Sequence, residues 1–468
     1  MEICAVIMAA GEGRKMCSRH SKLVLRVGGK PMIRWIAEVL HEIGAEEQLY
    51  IVGHRQEEVR SVLGENVAFV LQDAPLGTGH AVLQSAPFLE SRNGIIAVLP
   101  GDAPLLTAAT LKSALLSFAE DQNDAVVITS RTENPNGYGR IVRGADNRVL
   151  KIVEEEDVTD EERQIKDVNS SMYLFKTPLL LSALGKLAAH NRGKMYYLTD
   201  TIEQLNKDGF RVGEYYADFD EIRGINDRCD LEEAGKVLNR RICRRHMMQG
   251  VQILDIASTW IDARAKIGKD TLIRPNTVIY GDSVIGEECV IGPQTRLENA
   301  VVQDETVITE SVAVDCSVGR GCRIGPFTHL RPQSRLGDNI TLGAFVEVKN
   351  SELGDYTRAR HLTYIGDAHV GKNVNFGAGV ITCNFDGEQK RECKIGDNVF
   401  VGGNSSIISP AELHDDCYVA AGSTIIEDVP ELSLAIARTP QTNKEKWVVR
   451  KNRIRNGKTI SPDNGNYY

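Results

Sequence analysis

Two glycines and two cations follow the first apolar run of the chain. In the segment AVIMAAGEGRKM, the run ends at two alanines, and Gly11 and Gly13 come next. Arg14 and Lys15 follow them directly. Backbone N–H groups in a glycine-rich turn at a strand end can hold phosphate oxygens, and nearby cations neutralise their charge. Met16 stands where a dinucleotide fingerprint needs glycine, so the pattern predicts a different phosphate site or, alternatively, only a tight turn.

Other polar segments also follow apolar runs. QDAPLGTGHA is a second glycine-rich turn and contains Thr78, PGDAPLL carries Asp102, and GIND carries Asn226. Carboxylate and amide oxygens suit Mg²⁺, a hard cation that keeps most of its waters. Asp102 is therefore a candidate metal ligand, with a helix cap as the alternative role.

One histidine falls among residues suited to acid–base chemistry. RARHLTYIGD contains His361, and FVEVKNSELG places Glu347 and Lys349 upstream of it. Transfer of an acetyl group from a thioester to an amine requires a neutral amine, and a base with a pKa near the working pH can take its proton. We expect Glu347 to accept a hydrogen bond from one imidazole nitrogen and to leave the other free as the base. The alternative is a structural histidine within a repeat.

The first half of the chain alternates short apolar runs with helical patterns. Strands are predicted at ICAVIMAA, QLYIVG, VAFVLQ, IIAVLPGD and DAVVIT, and helices at PMIRWIAEVLHEIG and TAATLKSALLSFAE. Such alternation is typical of a mostly parallel sheet with helices on both faces. Ligands of these sheets bind beyond the carboxyl ends of the strands. GEGRK and PGD lie at such ends, so both are expected at one binding site.

The second half has a period of six residues. Aliphatic residues recur at this spacing in three registers, Ile267 to Leu297, Leu330 to Val348 and Ile395 to Ile425. This period fits a coil with three flat faces, in which each aliphatic side chain points inward and stacked coils bury a continuous column. The polar stretch 383–393 interrupts the repeat and is expected to leave the coil as a loop. A helix over 227–250 is predicted to connect the halves.

Composition excludes several classes of protein. The chain has 468 residues, of which 42% are apolar and 25% charged, and its net charge of −9 argues against wholesale nucleic-acid binding. We find neither a basic leader nor a long apolar segment, and expect a cytoplasmic location. The ten cysteines form no C-x-x-C pair, and three of them, Cys289, Cys316 and Cys322, fall at core positions of the repeat. Reduced thiols are expected, and a zinc site is not.

The motifs occur in an order that resembles a known family. AAGEG, LGTGHA, GDAPL, GYGRI, YYLTD and GIND, followed by the hexad repeat and HLTYIGD, match the sugar-phosphate nucleotidyltransferases. The match is closest to the bacterial family that is both N-acetylglucosamine-1-phosphate uridylyltransferase and glucosamine-1-phosphate N-acetyltransferase. The resemblance implies an α/β Rossmann-like nucleotidyltransferase domain followed by a left-handed parallel β-helix of hexapeptide repeats. The implied divisions are a nucleotidyltransferase domain at 1–227, a linker helix at 228–250, an acetyltransferase domain at 251–437 and a C-terminal tail at 438–468.

This resemblance implies a two-step synthesis of UDP-N-acetylglucosamine, a precursor of peptidoglycan and lipopolysaccharide. Acetyl-CoA would first acetylate glucosamine-1-phosphate. UTP would then transfer its uridylyl group to the product with release of pyrophosphate. Members of the family use Mg²⁺ and associate as homotrimers through the β-helix, with the acetyl sites between subunits. No nucleic acid and no membrane span is implied.

In the first domain, each residue that matches the family pattern inherits a role. Lys22 is implied to be catalytic and to steady the nucleotide phosphates, and Asp102 and Asn226 are the implied magnesium ligands. The other positions implied to bind UTP are Ala10, Gly11, Gly13, Arg14, Gln72, Gly77 and Thr78. The positions implied to bind N-acetylglucosamine-1-phosphate are Gly139, Glu154, Asn169 and Thr199.

In the second domain, the family pattern implies that His361 is the catalytic base and that Glu347 orients it. The positions implied to bind glucosamine-1-phosphate are Arg331, Lys349, Tyr364, Asn375 and Lys390. The positions implied to bind acetyl-CoA are Ala378, Asn384, Phe385, Gly403, Ala421 and Arg438. The pattern also places Asn384 among the sugar contacts.

The chain departs from the family pattern at some of these positions. Arg14 replaces a usual Thr, and Ser170 and Ser171 replace Thr and Gly, which bears on nucleotide and sugar preference. Phe385 replaces Tyr and Gly403 replaces Ser, which bears on affinity for CoA. Two other interpretations stay open. One is a nucleotidyltransferase for another sugar phosphate, such as glucose-1-phosphate, with an inert repeat domain, and the other is a non-enzymatic assembly or regulatory subunit.

Overall fold

The computed structural model describes residues 2–189 and 195–455 of the chain. Residues 456–468, which include the end of the predicted tail, lie outside this described part. The chain forms two compact units. Their bounds are Met1–Val284 with Arg296–Asn299 for the first unit, and Ile285–Thr295 with Ala300–Tyr468 for the second.

A nine-stranded sheet forms the centre of the first unit. Its strands, together with the short hairpin β2–β3, are β1 (Ile3–Ala9), β2 (Arg26–Val27), β3 (Lys30–Pro31), β4 (Glu47–Val52), β5 (Ala68–Leu71), β6 (Ile95–Pro100), β7 (Ala125–Arg131), β8 (Arg140–Arg143), β9 (Val149–Val153), β10 (Asp167–Lys176) and β11 (Val212–Tyr216). The order is β11-β7-β10-β6-β1-β4-β5, with β8 beside β10 and β9 beside β8. β1 runs parallel to β4 and β6, whereas β10 runs antiparallel to β6 and β7. The five predicted strands are β1, β4, β5, β6 and β7, so that prediction is confirmed.

Helices bury apolar residues on the two sides of this sheet, where two hydrophobic clusters form. They are α1 (Met32–Glu42), α2 (Gln56–Leu63), α3 (Thr78–Leu83), α4 (Ala86–Leu89), α5 (Ala108–Glu120), α6 (Thr177–Leu184), α7 (Asp200–Lys207), α8 (Phe219–Ile222) and α9 (Arg228–Met248). The two predicted helices are α1 and α5. α5 begins where the Thr107 hydroxyl accepts a hydrogen bond from the Thr110 N–H at 3.2 Å, which satisfies one of the free donors of the first turn.

The long helix α9 packs within the first unit. It begins with a capping box, in which Asp227 and Asp230 each bond the backbone of the other. The Asn239 amide donates to the carbonyl oxygen of Thr259, in the first coil of the repeat, at 2.7 Å. The first unit therefore extends to Val284, inside the repeat. The predicted divisions after residues 227, 250 and 437 stay predictions.

Short strands of the repeat begin within the first unit. They are Gln252–Ile253, Trp260–Ile261, Lys266–Ile267, Leu272–Ile273, Val278–Tyr280 and Arg296–Glu298. The strand Val284–Ile285 spans the boundary of the units. Each inward residue is aliphatic and buried, as the period of six predicts.

Parallel strands on three faces form the second unit. On the first face they are Val290–Ile291, Val307–Ile308, Arg323–Ile324, Thr341–Ala344, Arg358–His361, Asn375–Phe376, Phe400–Val401, Tyr418–Val419 and Leu434–Ala435. On the second face they are Val312–Val314, His329–Leu330, Glu347–Lys349, Tyr364–Gly366, Ile381–Cys383, Ser406–Ile408 and Thr424–Ile425. On the third face they are Val301–Val302, Ser317–Val318, Arg335–Leu336, Glu352–Leu353, Ala368–Val370, Cys393–Ile395 and Glu412–Leu413. A further helix, α10, spans Trp447–Arg455.

A column of aliphatic side chains runs through the second unit. Leu330, Leu342, Val401 and Ile407, taken from the predicted registers, are each 0% exposed. Within a face, each strand pairs in parallel with the next coil, so buried residues stack on buried residues. The hexad prediction is confirmed, and so is the loop, because the chain leaves the coil between Cys383 and Cys393. All ten cysteines are free thiols.

No helix among the described residues combines the length and the apolar composition that a membrane crossing needs.

Candidate active sites

A cavity of about 370 Å³ opens at the carboxyl ends of β1 and β6, which are parallel neighbours. Its walls come from the loops after these strands and from the second glycine-rich turn. The residues that line it include Ala10, Gly11, Glu12, Lys22, Gln72, Gly77, Thr78, Asp102 and Ser171. The structure thus brings the predicted nucleotide positions together, except Gly13 and Arg14, which lie in the loop but do not line the cavity.

The first glycine-rich turn packs closely on Lys22. Gly13 has a φ of 64°, and a Cβ atom there would lie 2.9 Å from the Cβ of Lys22. Glycine is therefore required both for the left-handed backbone and for the close approach. A short 3-10 helix, Arg14–Met16, follows, and the buried Met16 anchors it. The close packing of Gly13 against Lys22 therefore holds this lysine near the end of the first strand.

Arg14 pairs with Glu12 instead of lining the cavity. The Arg14 Nε atom donates to the Glu12 carboxylate at 2.5 Å, and the arginine side chain is 84% exposed. The hydrogen bond from Arg14 lowers the pKa of Glu12. A phosphate that enters this cavity would meet a carboxylate on its wall, and Arg14 offsets that charge.

Lys22 and Asp102 form an ion pair at the base of the cavity. The Lys22 ammonium also donates to the Ile225 carbonyl oxygen at 3.4 Å. The backbone N–H of Ile225 donates to the Asp102 carbonyl oxygen at 2.9 Å, which sets Asn226 one residue from the pair. Asp102 lines the cavity, whereas Asn226 is exposed and is not among the residues that line it. Together these two residues have one carboxylate and one amide oxygen. They fit Mg²⁺, which binds through one or two carboxylates plus substrate phosphates and keeps several waters.

The second glycine-rich turn is held from two sides. The Gln72 amide donates to the Gly77 carbonyl oxygen at 3.2 Å, and the Thr78 hydroxyl accepts from the Leu198 N–H at 2.9 Å. Gly77 has a φ of 111°, and a Cβ atom there would lie 2.4 Å from the Tyr196 carbonyl oxygen. The turn therefore packs on the YYLTD segment, which places its backbone against the cavity.

The predicted sugar residues meet beside this cavity. The Asn169 N–H donates to the Gly139 carbonyl oxygen at 2.9 Å, and the Thr199 hydroxyl donates to the Glu154 carboxylate at 2.9 Å. A Cβ atom on Gly139 would lie 3.5 Å from Asn169 and from Glu154. Burial raises the pKa of Glu154. The group offers amide, hydroxyl and carboxyl groups to a sugar that carries hydroxyls and an N-acetyl group.

A β-bulge in β10 shapes the wall near the sugar residues. The pairing of β10 with β7 shifts register between Asn169 and Met172. The Ser170 hydroxyl donates to the Ile128 carbonyl oxygen at 2.6 Å, and Ser171, with a φ of 60°, lines the cavity. Bulges beside binding sites re-aim side chains in this way. Of the two serines that depart from the family pattern, Ser170 thus forms a hydrogen bond inside the sheet, and Ser171 lies on the cavity wall.

One corner of the second unit carries His361 in a column of small residues. The column contains Ala344, His361, Ala378, Gly403 and Ala421, one from each successive coil. Backbone hydrogen bonds of 2.7 to 3.2 Å connect successive coils along this column. They run from the N–H groups to the carbonyl oxygens in the pairs Leu362 to Ala344, Gly379 to His361, Asn404 to Ala378 and Gly422 to Gly403. His361 is exposed at this corner. The predicted base and three predicted acetyl-CoA positions therefore form one continuous edge.

Three cations gather near the strand Glu347–Lys349. Arg331 donates to the Glu347 carboxylate at 2.9 Å, and the Lys349 ammonium donates to the Asp367 carboxylate at 3.3 Å. The neighbouring Lys349 ammonium lowers the pKa of Lys390. Cations held so close together are stabilised by an anion between them. A depression of about 520 Å³ lies among these side chains, and the cations that line it could bind a phosphate.

Glu347 does not bond His361. It lies opposite Tyr364 in the register of the second face, and its carboxylate is taken by Arg331. Within residues 2–189 and 195–455, the His361 ring makes no hydrogen bond. The orienting role of Glu347 remains a prediction, and the described side chains favour a role for it in holding Arg331.

Tyr364 and Asn384 join the loop to the second face. The Asn384 amide donates to the Tyr364 hydroxyl at 3.4 Å and also bonds Asp367. Phe385 forms an isolated antiparallel bridge with Lys390, so the two predicted positions face each other across the loop.

Two predicted positions lie away from the cation group. Asn375 lies on the first face, opposite Arg358 and Phe400. Arg438 passes Gly422, where its Cδ atom would lie 3.8 Å from an added Cβ atom. Asn375 therefore flanks the His361 corner from the first face, and Arg438 lies near the far end of the same column.

The sequence patterns did not single out Glu12 and Asp367, and they marked Ser171 only as a departure from the family pattern. Glu12 lies inside the GEGRK motif, but the motif was interpreted through its glycines and cations, and the place of Glu12 on the cavity wall was not predicted. Asp367 ends the HLTYIGD motif, and its φ of 48° marks it as a corner residue. The sequence signal for Asp367 is an acidic residue between the small residues Gly366 and Ala368 of the repeat. An Asp that such a position buries needs hydrogen-bond partners.

Three family models match different parts of the chain. The MobA-like NTP transferase domain matches residues 5–198. The GMPPB C-terminal domain matches residues 256–353, and the bacterial transferase hexapeptide (six repeats) matches residues 392–427. The nucleotide-type cavity lies within the first match, and part of the His361 column lies within the third.

Three relatives align with nearly the whole chain, and each is called Bifunctional protein GlmU. The protein from Acetivibrio thermocellus is 47% identical over 97% of this chain and 99% of its own. The one from Caldanaerobacter subterraneus subsp. tengcongensis is 44% identical over 98% and 99%. The one from a Geobacillus species is 45% identical over 95% and 97%. With both transferase modules present and this identity sustained across both units, the chain belongs to the bifunctional GlmU family.

Proposed function

We propose that the two candidate sites catalyse consecutive steps in the synthesis of UDP-N-acetylglucosamine. The second unit acetylates glucosamine-1-phosphate, and the first unit joins the product to UMP. The product of the first reaction is the substrate of the second. The observation that carries the proposal is the pair of sites itself. One is a phosphate-type cavity at the strand ends of the first unit, and the other is the second unit with its exposed His361 corner and its group of three cations.

In the first unit, a phosphate oxygen of N-acetylglucosamine-1-phosphate attacks the α-phosphorus of UTP, and pyrophosphate leaves. The nucleophile is already an anion, so the protein supplies positioning and charge neutralisation. Lys22 neutralises the phosphates, and the turns at Gly11 and Gly77 present backbone N–H groups. Gly139, Glu154, Asn169 and Thr199 hold the sugar.

We assign Mg²⁺ to Asp102 and Asn226. The bound ion supplies positive charge that stabilises the phosphates of the nucleotide. Asp102 and Asn226 would hold the ion, and Lys22, which is paired with Asp102, would place its ammonium beside the same phosphates.

In the second unit, His361 takes a proton from the amino group of glucosamine-1-phosphate as the nitrogen attacks the thioester carbon of acetyl-CoA. The C–S bond then breaks, and CoA leaves as the thiol after protonation. Arg331, Lys349 and Lys390 bind the phosphate, with Tyr364 and Asn375 as further sugar contacts. Ala378, Asn384, Phe385, Gly403, Ala421 and Arg438 form the acetyl-CoA groove.

We further propose that the chain acts as a homotrimer through the second unit. The exposed His361 corner supports this, because a transfer site needs cover from water that a second copy can provide. Ten free thiols agree with a reducing compartment, so we place the protein in the cytoplasm.

A coupled assay tests the function. The protein is given glucosamine-1-phosphate, acetyl-CoA, UTP and Mg²⁺, and the product is identified by mass. UDP-N-acetylglucosamine is expected only when all components are present. Pyrophosphate release with glucose-1-phosphate but not with N-acetylglucosamine-1-phosphate would favour an enzyme for another sugar, and no release with either would favour a non-enzymatic subunit.

A further inference from the structure

Asp367 lies at the centre of the cation group in the second unit. Its side chain is buried, with 5% exposed. Its carboxylate accepts hydrogen bonds from the Lys349 ammonium at 3.3 Å, from the Asn350 amide at 2.6 Å and from the Asn384 amide. A buried carboxylate is stable only when it is paired and hydrogen-bonded. Two of its three partners, Lys349 and Asn384, carry predicted roles in the site.

These partners belong to different parts of the fold. Lys349 ends a strand of the second face, whereas Asn384 begins the loop that leaves the coil. The Arg391 N–H donates to the Asn384 carbonyl oxygen at 2.8 Å and closes the base of the loop. The loop carries Lys390, so Asp367 connects one cation directly and the other through Asn384.

Two neighbouring cations repel each other, and a nearby anion offsets this repulsion. The ammonium of Lys349 is close enough to Lys390 to lower the pKa of Lys390. With the Asp367 carboxylate on its other side, Lys349 can stay in this crowded arrangement while no phosphate is bound. Charges that are already in place before the ligand arrives bind it with less loss of conformational entropy.

We propose that Asp367 is a positioning residue for glucosamine-1-phosphate, which sets Lys349 and the base of the Lys390 loop for the phosphate before it binds. The inference rests on the proposed acetyl transfer. Asp367 touches neither the reacting amine nor the thioester in this assignment. Its effect is therefore expected in the binding of the sugar phosphate and not in the chemical step.

The test is Asp367→Asn in the full chain. Asn keeps the shape of the side chain and tolerates the φ of 48° at this corner, but it removes the charge. We expect the KM for glucosamine-1-phosphate to rise about tenfold or more, while kcat and the KM for acetyl-CoA change less than about twofold. Uridylyl transfer, measured on the same preparation, should be unchanged.

Asp355→Asn is the matched control. It removes the charge of another aspartate that pairs with a lysine, Lys372 at 3.2 Å, but does not line the depression, so the KM for glucosamine-1-phosphate should stay within about twofold of the parent. Asp367→Glu keeps the charge and should recover part of the lost affinity. In Asp367→Asn, the rise of KM with pH should also begin at lower pH, because Lys349 has lost its counterion.

Two outcomes overturn the proposal. One is an unchanged KM in Asp367→Asn. The other is an equal loss of acetyl transfer and of melting temperature in Asp367→Asn and Asp355→Asn, which would mean that Asp367 only stabilises the repeat. Failure of the proposed function is distinct from both, since the parent chain would then not acetylate glucosamine-1-phosphate at all.

Discussion

At the scale of single residues, His361 is the proposed base of acetyl transfer. His361→Ala removes the base, so acetyl transfer should fall by about 10²-fold or more, while uridylyl transfer stays unchanged. Release of CoA from acetyl-CoA in the presence of glucosamine-1-phosphate measures the first activity, and release of pyrophosphate measures the second. The matched control is His369→Ala, since His369 is an exposed histidine on the third face, between Glu352 and Glu392. Equal losses in the two variants would contradict the assignment.

Lys390 should make the proposed acetyl site sensitive to alkaline pH. The neighbouring Lys349 lowers the pKa of Lys390, so its positive charge is lost at a lower pH than that of an ordinary lysine. As the pH rises through this pKa, attraction for the phosphate falls, and the KM for glucosamine-1-phosphate should rise. Lys390→Arg keeps its charge throughout, so its rise should shift to higher pH. The KM measured between about pH 7 and about pH 10 checks this, and identical profiles for parent and variant would refute it.

At the scale of elements, the hexad repeat depends on its inward residues. Ile407 is 0% exposed, whereas its neighbour Ile408 points outward and is 37% exposed. Ile407→Ala should lower the free energy of unfolding by about 2–5 kcal/mol, because it leaves a cavity in the column. Ile408→Ala should lower it by about 1 kcal/mol or less. Urea unfolding followed by circular dichroism compares them, and equal effects would count against the inward column.

The period of the sequence predicted which residues of the repeat are buried better than it predicted which side chains form hydrogen bonds with each other. Period six identified buried residues such as Ile407, because each coil must turn its aliphatic side chains toward one axis. It could not show that Glu347 pairs with Arg331 and not with His361. That choice depends on which residues of neighbouring coils are opposed, and the coils differ in length. The pairing of Arg14 with Glu12 was likewise missed, since family matching assigned Arg14 to the nucleotide.

At the scale of the whole molecule, the two reactions should be separable. Asp102→Asn removes a proposed metal ligand and should abolish uridylyl transfer alone, and His361→Ala should abolish acetyl transfer alone. Neither variant by itself should make UDP-N-acetylglucosamine from glucosamine-1-phosphate. A mixture should make it, because each variant keeps the site that the other lacks and the intermediate can pass through solution.

Product analysis by mass checks the mixture. The parent chain at the same total concentration is the positive control, and added N-acetylglucosamine-1-phosphate should restore the His361→Ala variant alone. The contrary result is a mixture that forms no UDP-N-acetylglucosamine although each variant keeps its one remaining activity. That result would mean that the intermediate is never released, which contradicts two independently working sites.

The exposure of His361 has a consequence for the fate of acetyl-CoA. An imidazole that bulk water can reach can also act as a general base for a water molecule that attacks the thioester, although less readily than for an amine. An isolated chain should therefore waste thioester by hydrolysis, and dilution, which separates chains, should increase the CoA released per N-acetyl group formed. How well the protein conserves its acetyl donor would then be decided by assembly and not by the histidine.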